Sequence, residues 1–264
     1  MPEYKDQLGN KISLSEIPKR IASLVPSQTE LLFDLGLDEE VIGITKYCVH
    51  PKDWLQSKTT VGGTKKLSLE KIKELKPDLI IGNKEENEKN QVLELMKHYP
   101  VWMSDIKTLE DALAMIDSIG EITGKENKAL KIQNDIREQF SHFKLATSDF
   151  KRLTFNVLYL IWRKPFICAG TNTFIDHLLE ICGLKNAITE TRYLEITAEQ
   201  IQKTNPSLIF LSSEPYPFRQ KHILEFQRIC PKAKIILVDG EMFSWYGSRL
   251  LYAPSYFEHL LKNL

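Results

Sequence analysis

The sequence lacks an excess of charge of either sign. Its 264 residues contain 35 Lys and Arg residues and 35 Asp and Glu residues, so the formal net charge at pH 7 is zero. Proteins that bind nucleic acids generally carry a basic excess or a basic patch. We therefore expect no nucleic acid among the partners of this chain.

Long apolar runs and an export signal are also missing. No stretch approaches the roughly 20 apolar residues that span a bilayer. The start of the chain reads Met-Pro-Glu-Tyr-Lys-Asp-Gln-Leu-Gly-Asn, which has neither the charged beginning nor the apolar core of a signal peptide. The expected protein is therefore either cytoplasmic or an exported one whose leader was cleaved or left out.

Cysteine and histidine are few and scattered. The four cysteines form no C-x-x-C pair, and free thiols are favoured over two disulfides. No histidine stands in an H-x-H or H-x-x-x-H arrangement, so no metal site is expected. The histidines interpreted as surface residues are His98, His142, His222 and His259.

Sequence signatures of common enzymes are absent too. We find no phosphate-binding loop, no dinucleotide glycine fingerprint and no nucleophile elbow. No catalytic residue and no cofactor of the protein's own are therefore predicted.

What is present is a regular alternation of strand and helix patterns, which is typical of parallel, doubly wound sheets. A turn signal at Leu8-Gly9-Asn10-Lys11 predicts either a short N-terminal hairpin or an extended arm. Ser27-Gln-Thr-Glu30 predicts a capping box that opens a helix. Further strands are predicted at 20–25, 41–45, 79–81, 101–103, 152–162, 208–211 and 234–238. Helices are predicted at 68–76, 90–98, 174–182, 197–205 and 253–261, and loops at 46–51, 162–166 and 239–247.

Two long amphipathic helices are predicted in the middle of the chain. The first covers Thr108 to Ile122, and the second runs from Lys125 to about Phe143 after the break at Thr123-Gly124. Nineteen helical residues reach about 28 Å, which is roughly the width of a small domain. The second helix is therefore a candidate strut.

The sequences on the two sides of these helices resemble each other. Residues 68–81, Ser-Leu-Glu-Lys-Ile-Lys-Glu-Leu-Lys-Pro-Asp-Leu-Ile-Ile, align without gaps with residues 197–210, Thr-Ala-Glu-Gln-Ile-Gln-Lys-Thr-Asn-Pro-Ser-Leu-Ile-Phe. Each copy has a hydroxyl cap, a glutamate two residues later, a helix, a proline and a strand. Residues 31–37 and 178–184 form a second echo in the same order. The repeat predicts two lobes of one design.

The matched glutamates are Glu70 and Glu199. A carboxylate in the first turn of a helix stabilises it by a few tenths of a kcal/mol through the helix dipole. Their equivalent placement, one in each lobe, leaves a paired functional role open as well.

Several motifs resemble the class III substrate-binding proteins of ABC importers, especially the cobalamin-binding branch. The opening strand and helix of that family resemble Arg20-Ile-Ala-Ser-Leu-Val-Pro-Ser-Gln-Thr-Glu-Leu-Leu-Phe-Asp-Leu-Gly36. Its next signature resembles Leu69-Glu-Lys-Ile and Lys76-Pro-Asp-Leu-Ile-Ile81. The start of its second lobe resembles Pro165-Phe166, Ala169-Gly170 and Leu179-Glu-Ile-Cys-Gly183.

The resemblance implies an α/β fold of two Rossmann-like lobes with parallel sheets, joined by a single long backbone helix, with the ligand cleft between the lobes. The implied division is an N-terminal lobe at 1–105, an approach helix and linking helix at 106–147, and a C-terminal lobe at 148–264. It also implies that Glu70 and Glu199 dock onto an ABC transporter permease. A monomer in the periplasm or cell envelope is expected.

The ligand implied is a bulky metal chelate: cobalamin or another corrinoid, a ferric siderophore, or haem. Tyr47 and Tyr193 match aromatic positions of the family, whereas Thr64 and Asn83 stand where cobalamin binders have tryptophan. Clustered aromatics in loops after strands favour further ligand contacts. The predicted ligand-binding residues are Tyr47, His50, Asn83, Trp162, Arg163, Phe166, Tyr193, Phe243, Trp245 and Tyr246.

Two alternatives stay open from the residues. Arg163, Lys84 and Arg249 are either ligand-facing cations or solvated surface charges. A cytoplasmic enzyme that handles tetrapyrroles or metals, similar to a chelatase, is the competing functional class.

Overall fold

The structure, a computed structural model, describes residues 2–147 and 155–264. The chain forms two compact units. Unit 1 comprises Met1–Asp105, Glu110–Ile136 and Tyr246–Arg249, and unit 2 comprises Ile106–Leu109, Arg137–Trp245 and Leu250–Leu264. The short segment Tyr246–Arg249 was not expected in unit 1. The predicted division at residues 105 and 147 stays a prediction.

Unit 1 is built on a five-stranded parallel sheet with the strand order β5-β4-β3-β8-β9. Its central strands β3 and β8 consist of buried residues, as expected for parallel strands covered on both faces. The strands are β1 (Glu3–Lys5), β2 (Lys11–Ser13), β3 (Ile21–Ser23), β4 (Val41–Ile44), β5 (Thr59–Thr60), β6 (Gly62–Gly63), β7 (Lys66–Leu67), β8 (Leu79–Asn83) and β9 (Val101–Ser104). The antiparallel pair β1–β2 confirms the predicted N-terminal hairpin.

The first four helices of unit 1 lie in the connections between its strands, and two longer helices follow the last strand. They are α1 (Pro26–Asp34), α2 (Trp54–Ser57), α3 (Leu69–Leu75), α4 (Lys89–Met96), most of α5 (Leu109–Ile122) and the first part of α6 (Glu126–Ala146). The predicted capping box at Ser27 is wrong, because α1 begins at Pro26 and its N-cap residue, Val25, has no side-chain hydrogen bond. Proline suits this position, since its φ is preset and its missing N–H is not needed there.

Unit 2 contains a mixed sheet rather than a purely parallel one. In the strand order β13-β11-β10-β14-β15, the core strands β10, β14 and β15 are parallel, while β11 pairs antiparallel with both β10 and β13. The strands are β10 (Asn156–Trp162), β11 (Phe166–Ala169), β12 (Lys185–Asn186), β13 (Tyr193–Ile196), β14 (Leu208–Ser212) and β15 (Lys234–Val238). Residues 152–154 of the strand predicted at 152–162 lie outside the described residues.

The helices of unit 2 are α7 (Phe174–Ile181), α8 (Ala198–Thr204), α9 (Gln220–Ile229), α10 (Gly240–Ser244) and α11 (Ala253–Lys262), with a 3-10 helix at Ser248–Leu251. Two predicted loops are therefore wrong in part. Of the loop predicted at 162–166, only residues 163–165 form the turn of the β10–β11 hairpin, because Trp162 ends β10 and Phe166 begins β11. The helix α10 lies within the loop predicted at 239–247. The α10 helix is capped by Asp239, whose carboxylate accepts a hydrogen bond from the Glu241 amide.

The predicted strut is the helix α6, which has 21 residues and a length of about 32 Å. Its residues up to Ile136 belong to unit 1, and those from Arg137 belong to unit 2. The predicted apolar stripe is confirmed as buried, and it consists of Ala129, Ile132, Ile136, Phe140 and Phe143.

The internal repeat has a close structural counterpart. Helices α3 and α8 each have seven residues, and each ends at a residue in the left-handed conformation, Lys76 with φ 47° and Asn205 with φ 44°. A proline follows in both cases, and the next strands, β8 and β14, each have five buried residues. The two copies differ at their caps. Thr197 forms a complete capping box with Gln200, whereas the side chain of Ser68 makes no capping hydrogen bond.

Candidate functional site

Open α/β sheets bind ligands just beyond the carboxyl ends of their parallel strands. In unit 1 these ends carry the loops after β4, β8 and β9. In unit 2 they carry the loops after β10, β14 and β15. Of the ten predicted ligand-binding residues, eight end these strands or lie in the segments that follow them, and the other two, Phe166 and Tyr193, begin β11 and β13.

Tyr47, in the loop after β4, has half of its side-chain surface exposed (52%). The ammonium group of Lys46 lies 5.0 Å from the centre of its ring. A Cβ atom at Gly63 would come within 3.1 Å of the ring, so glycine at this position leaves the room that the tyrosine occupies. The exposed face of Tyr47 is available for stacking on a flat ligand.

His50 lies in the same loop and is half-buried. Its neighbour Glu30 is paired with Arg249, whose Nε donates to the carboxylate over 2.9 Å. Burial raises the pKa of Glu30, and the ion pair with Arg249 opposes that rise. Arg249 is therefore committed to a carboxylate of unit 1, which disfavours the prediction that it is a ligand-facing cation.

Asn83 is the last residue of β8, and its side chain is buried. Its Nδ2 donates to the Ser104 hydroxyl over 2.9 Å, and its Oδ1 accepts from the amides of Glu85 and Glu86 over 2.8 and 3.1 Å. Both ends of the amide thus hold the turn that follows the strand. This placement favours a role in positioning the loop over direct ligand contact.

Tyr246 belongs to the short C-terminal segment of unit 1, and its side chain is buried. Its hydroxyl donates to the Glu86 carboxylate over 2.9 Å. Burial, followed by the nearby charge of Glu86, raises the pKa of Tyr246 well above its ordinary value, so the phenol stays protonated. Asn83 and Tyr246 therefore both bind the turn after β8. Asn83 bonds the backbone amides of Glu85 and Glu86, and Tyr246 bonds the carboxylate of Glu86.

In unit 2, Trp162 and Tyr193 are the exposed aromatic residues of the predicted set, with 38% and 39% of their surfaces accessible. Trp162 ends β10, and its ring meets the edge of Tyr216 with a centroid distance of 5.8 Å. Tyr193 begins β13. Both rings remain predicted ligand contacts.

Two further predicted cations are held by carboxylates. The Nε of Arg163 donates to Glu225 over 2.7 Å, and its Nη2 donates to the other oxygen over 3.2 Å. Lys84 lies 2.6 Å from a carboxylate oxygen of Asp105. A ligand anion would have to share these cations with the protein's own carboxylates.

Phe166 and Phe243 pack into the core of unit 2. Phe243 has no exposed surface and contacts the rings of Tyr159, Phe210 and Phe257. Phe166 packs against Phe226 with a centroid distance of 5.2 Å. These placements favour packing roles for both residues.

Glu214 lies just beyond the carboxyl end of β14 in unit 2, and it was not among the predicted ligand-binding residues. Its carboxylate accepts hydrogen bonds from the Ser244 hydroxyl over 2.5 Å and from the indole Nε1 of Trp245 over 2.9 Å. Burial, with smaller effects of Glu241 and Asp239, raises the pKa of Glu214 to about 7. Its position directly after the buried strand β14, next to a proline, was the available signal. The predicted ligand residue Trp245 is thus held by an acid that titrates near neutral pH.

Glu70 and Glu199 lie at equivalent positions in the first turns of α3 and α8, and both side chains are exposed. The amide of Glu199 itself and the hydroxyl of Thr197 hydrogen-bond its carboxylate and lower its pKa. Each unit therefore presents one solvent-facing glutamate at the start of a repeat helix.

The described residues contain no group of three or more His, Cys, Asp or Glu side chains that could hold a metal ion. All four cysteines are free and buried, which confirms the prediction of free thiols. The interpretation of His222 as a surface residue is wrong, because it is 5% exposed. Among residues 2–147 and 155–264, no helix combines the length and apolar composition that crossing a membrane requires.

The family model of periplasmic binding proteins matches residues 21–228. The chain belongs to the periplasmic binding protein family. This confirms the family predicted from the motifs, and the members of the family are binding proteins rather than enzymes. The chelatase-like alternative therefore loses support.

Two relatives illustrate the match. An uncharacterised ABC transporter substrate-binding lipoprotein of Bacillus subtilis is 27% identical over 216 residues, which cover 77% of this chain and 67% of the relative. A vitamin B12-binding protein of Pectobacterium carotovorum is 22% identical over 240 residues, covering 90% and 86% of the two chains.

Solved structures share the fold. A periplasmic haem-binding protein of Pseudomonas aeruginosa matches with a TM-score of 0.81 and 20% identity over 93% of each chain. A petrobactin-binding protein of Bacillus subtilis matches with a TM-score of 0.79 and 22% identity, covering 99% of this chain and 98% of its own. The predicted two-lobed α/β fold with a backbone helix is thereby confirmed.

Proposed function

We propose that this protein is the substrate-binding component of an ABC importer. In this proposal it captures a bulky metal chelate and delivers it to a membrane permease. The observation that carries the proposal is the structural repeat, which places one exposed glutamate at the start of an equivalent helix in each unit. Membership of the periplasmic binding protein family supports the same role.

The proposed docking groups are Glu70 and Glu199. Both are exposed, and both lie in the first turn of a short helix that ends in the same way, so their local geometry is alike. Basic residues of a permease are the partners that such carboxylates would bind. Because the protein meets the permease where import occurs, we place it at the cell envelope, and we expect it to act as a monomer.

The proposed ligand is a corrinoid such as cobalamin, a ferric siderophore or haem. Exposed aromatic rings at Tyr47, Trp162 and Tyr193 support a large, flat or bulky ligand, because such rings bury wide apolar surfaces with little loss of entropy. His50, in the same loop as Tyr47, completes the set that we regard as ligand-facing. Trp245 is 5% exposed and bound to Glu214, so we propose that it supports the site from within unit 2. The described residues of the protein supply no metal cluster, so the metal would arrive with the ligand.

Titration with one representative of each class tests the ligand proposal. We expect cobinamide, haem or a ferric hydroxamate siderophore to quench tryptophan fluorescence saturably. Trp162→Phe should remove a large part of that quenching, since Trp162 is exposed at the proposed site. The matched control is Trp54→Phe, because Trp54 is 3% exposed and its ring packs against Phe33. A protein that shows no saturable quenching with any of the three compounds would contradict the proposal.

A second experiment tests docking. The double variant Glu70→Ala with Glu199→Ala should bind the ligand as tightly as the wild type but transport it at least tenfold more slowly with its permease in proteoliposomes. The control, Glu39→Ala with Glu180→Ala, removes one exposed glutamate from each unit at positions outside α3 and α8. Equal transport by the two double variants would rule out the docking role.

A further inference from the structure

A pocket of about 570 Å³ lies on unit 2, on one face of α9 and beside the turn of the β10–β11 hairpin. Its volume is in the range of pockets that hold small organic molecules. Of its lining residues, only Arg163 belongs to the predicted ligand site. The lining residues are Arg163, Tyr216, Lys221, His222, Leu224, Glu225 and Arg228.

The pocket carries a net positive charge in a chain whose net charge is zero. Lys221 and Arg228 have no salt-bridge partner among the residues that the structure describes. Glu225 is the only carboxylate among the lining residues, and it is already bound by Arg163. Two positive charges therefore remain uncompensated at the pocket wall.

His222 lies within this positive potential. Its Nδ1 accepts a hydrogen bond from the Arg219 amide over 2.9 Å, and its ring is buried. Burial lowers the pKa of His222, and the charges of Arg163 and Lys221 lower it further against the opposing effect of Glu225. The imidazole is therefore neutral at pH 7 and adds no charge to the wall.

The wall is rigid where it meets the hairpin. The Tyr216 ring packs against Phe218 and His222 with centroid distances of 4.8 and 5.5 Å, and its hydroxyl lies 3.3 Å from the His222 Nε2. On the helix side, Leu224 stands between the two free cations with 66% of its surface exposed. The pocket thus combines fixed polar groups, free cations and one apolar contact surface.

We propose that this pocket binds the phosphate group of an organic phosphate. Lys221 and Arg228 act as its counter-ions, the guanidinium N–H groups of Arg163 that Glu225 leaves unused donate to it, and Leu224 contacts the organic part. The phosphate belongs either to a soluble metabolite or to a phospholipid headgroup. The site is built within one unit, and Arg163 is the residue that it shares with the predicted chelate site.

The test uses the full chain and two phosphate probes. Isothermal titration at low salt should show binding of phenyl phosphate by the wild type, and Lys221→Glu with Arg228→Glu should weaken it at least tenfold. The control, Lys185→Glu with Lys232→Glu, makes the same charge change at exposed positions of unit 2 outside the pocket and should stay within twofold. Leu224→Ala should weaken phenyl phosphate more than inorganic phosphate.

Vesicles separate the two sources. If the wild type, but not the pocket variant, pellets with phosphatidylglycerol vesicles and not with phosphatidylcholine vesicles, the headgroup is the source. Phenyl phosphate binding without vesicle binding identifies a soluble phosphate. The proposal is overturned if neither probe binds, or if the pocket and control variants lose binding equally. If the charge-reversal variant fails to fold, the double variant Lys221→Met with Arg228→Met takes its place.

Discussion

The two units share a repeat of helix and strand, yet different interactions stabilise the loops at the carboxyl ends of their parallel strands. In unit 1, hydrogen-bonded amides and hydroxyls hold the turn after β8, with Gln28 and Asn83 both bonded to the hydroxyl of Ser104. In unit 2, the corresponding region rests on packed aromatic rings around Phe243 and on the buried acid Glu214. A common backbone design therefore does not impose a common site.

The sheets differ for a related reason. In unit 1 the helix α1 leads from β3 directly to its parallel neighbour β4. In unit 2 the hairpin strand β11 is inserted between β10 and α7, and it turns one side of the sheet antiparallel. The hairpin also places Trp162 and Arg163 at its turn. Unit 2 thus gains a turn that carries the exposed ring of Trp162 and the half-buried side chain of Arg163.

The largest expected effect is the loss of stability when a core ring of unit 2 is removed, compared with the removal of an exposed ring. Phe243→Ala should lower the free energy of unfolding by about 3–5 kcal/mol, because it removes a fully buried ring and leaves a cavity. Urea unfolding followed by circular dichroism measures the loss. Tyr252→Ala, at a ring that is 61% exposed, should cost less than about 1 kcal/mol. Similar losses for the two variants would mean that Phe243 is not a core residue.

The next effect concerns Glu214, the buried acid that follows β14 in unit 2. Because its pKa rises from 4.5 to about 7 on folding, the folded state binds more protons than the unfolded state between these values. The contribution of Glu214 to the free energy of unfolding should therefore be greatest below about pH 4.5. It should fall by roughly 2–3 kcal/mol as the pH rises through 7. Glu214→Gln should remove that part of the pH dependence in urea unfolding at pH 5 and pH 8. An unchanged pH profile would contradict the assignment.

The smallest effect tests the repeat itself. Thr197→Ala should cost about 1 kcal/mol, because it removes the hydroxyl that caps α8. Ser68→Ala, at the equivalent position of α3, should change stability by less than about 0.5 kcal/mol, because that hydroxyl makes no capping bond. Thermal unfolding compares the two. Equal costs would show that the two caps work alike.

Much of the fold could be predicted from local patterns. The stripe of α6, the N-terminal hairpin, the helix and strand of each repeat copy and the free thiols all follow from spacing and composition. Errors arose where local signals compete. Ser27-Gln-Thr-Glu30 has the pattern of a capping box, but Pro26 at the first helical position starts α1 earlier. The strand β11 was not predicted: its first residue, Phe166, was assigned to the loop at 162–166, and four residues are a short run for a strand pattern.

The candidate site was less predictable, because it depends on which side chains meet. Trp162 and Phe243 are both aromatic residues in predicted loops, yet one is exposed and the other is fully buried. Arg163 looked like a free cation, and Glu225, 62 residues further along the chain, neutralises it. Nothing in the local sequence of either residue indicates that partner.

By itself, the sequence determined the order of strands and helices, the two-copy design and the matched positions of Glu70 and Glu199, because these follow from propensities and spacing within short segments. The tertiary structure alone decided which rings lie in the core, which cations are paired, and that Glu214 titrates near neutral pH. It also placed Tyr246–Arg249 in unit 1. Burial and ion pairing depend on residues far apart in the chain, and only folding brings those residues together.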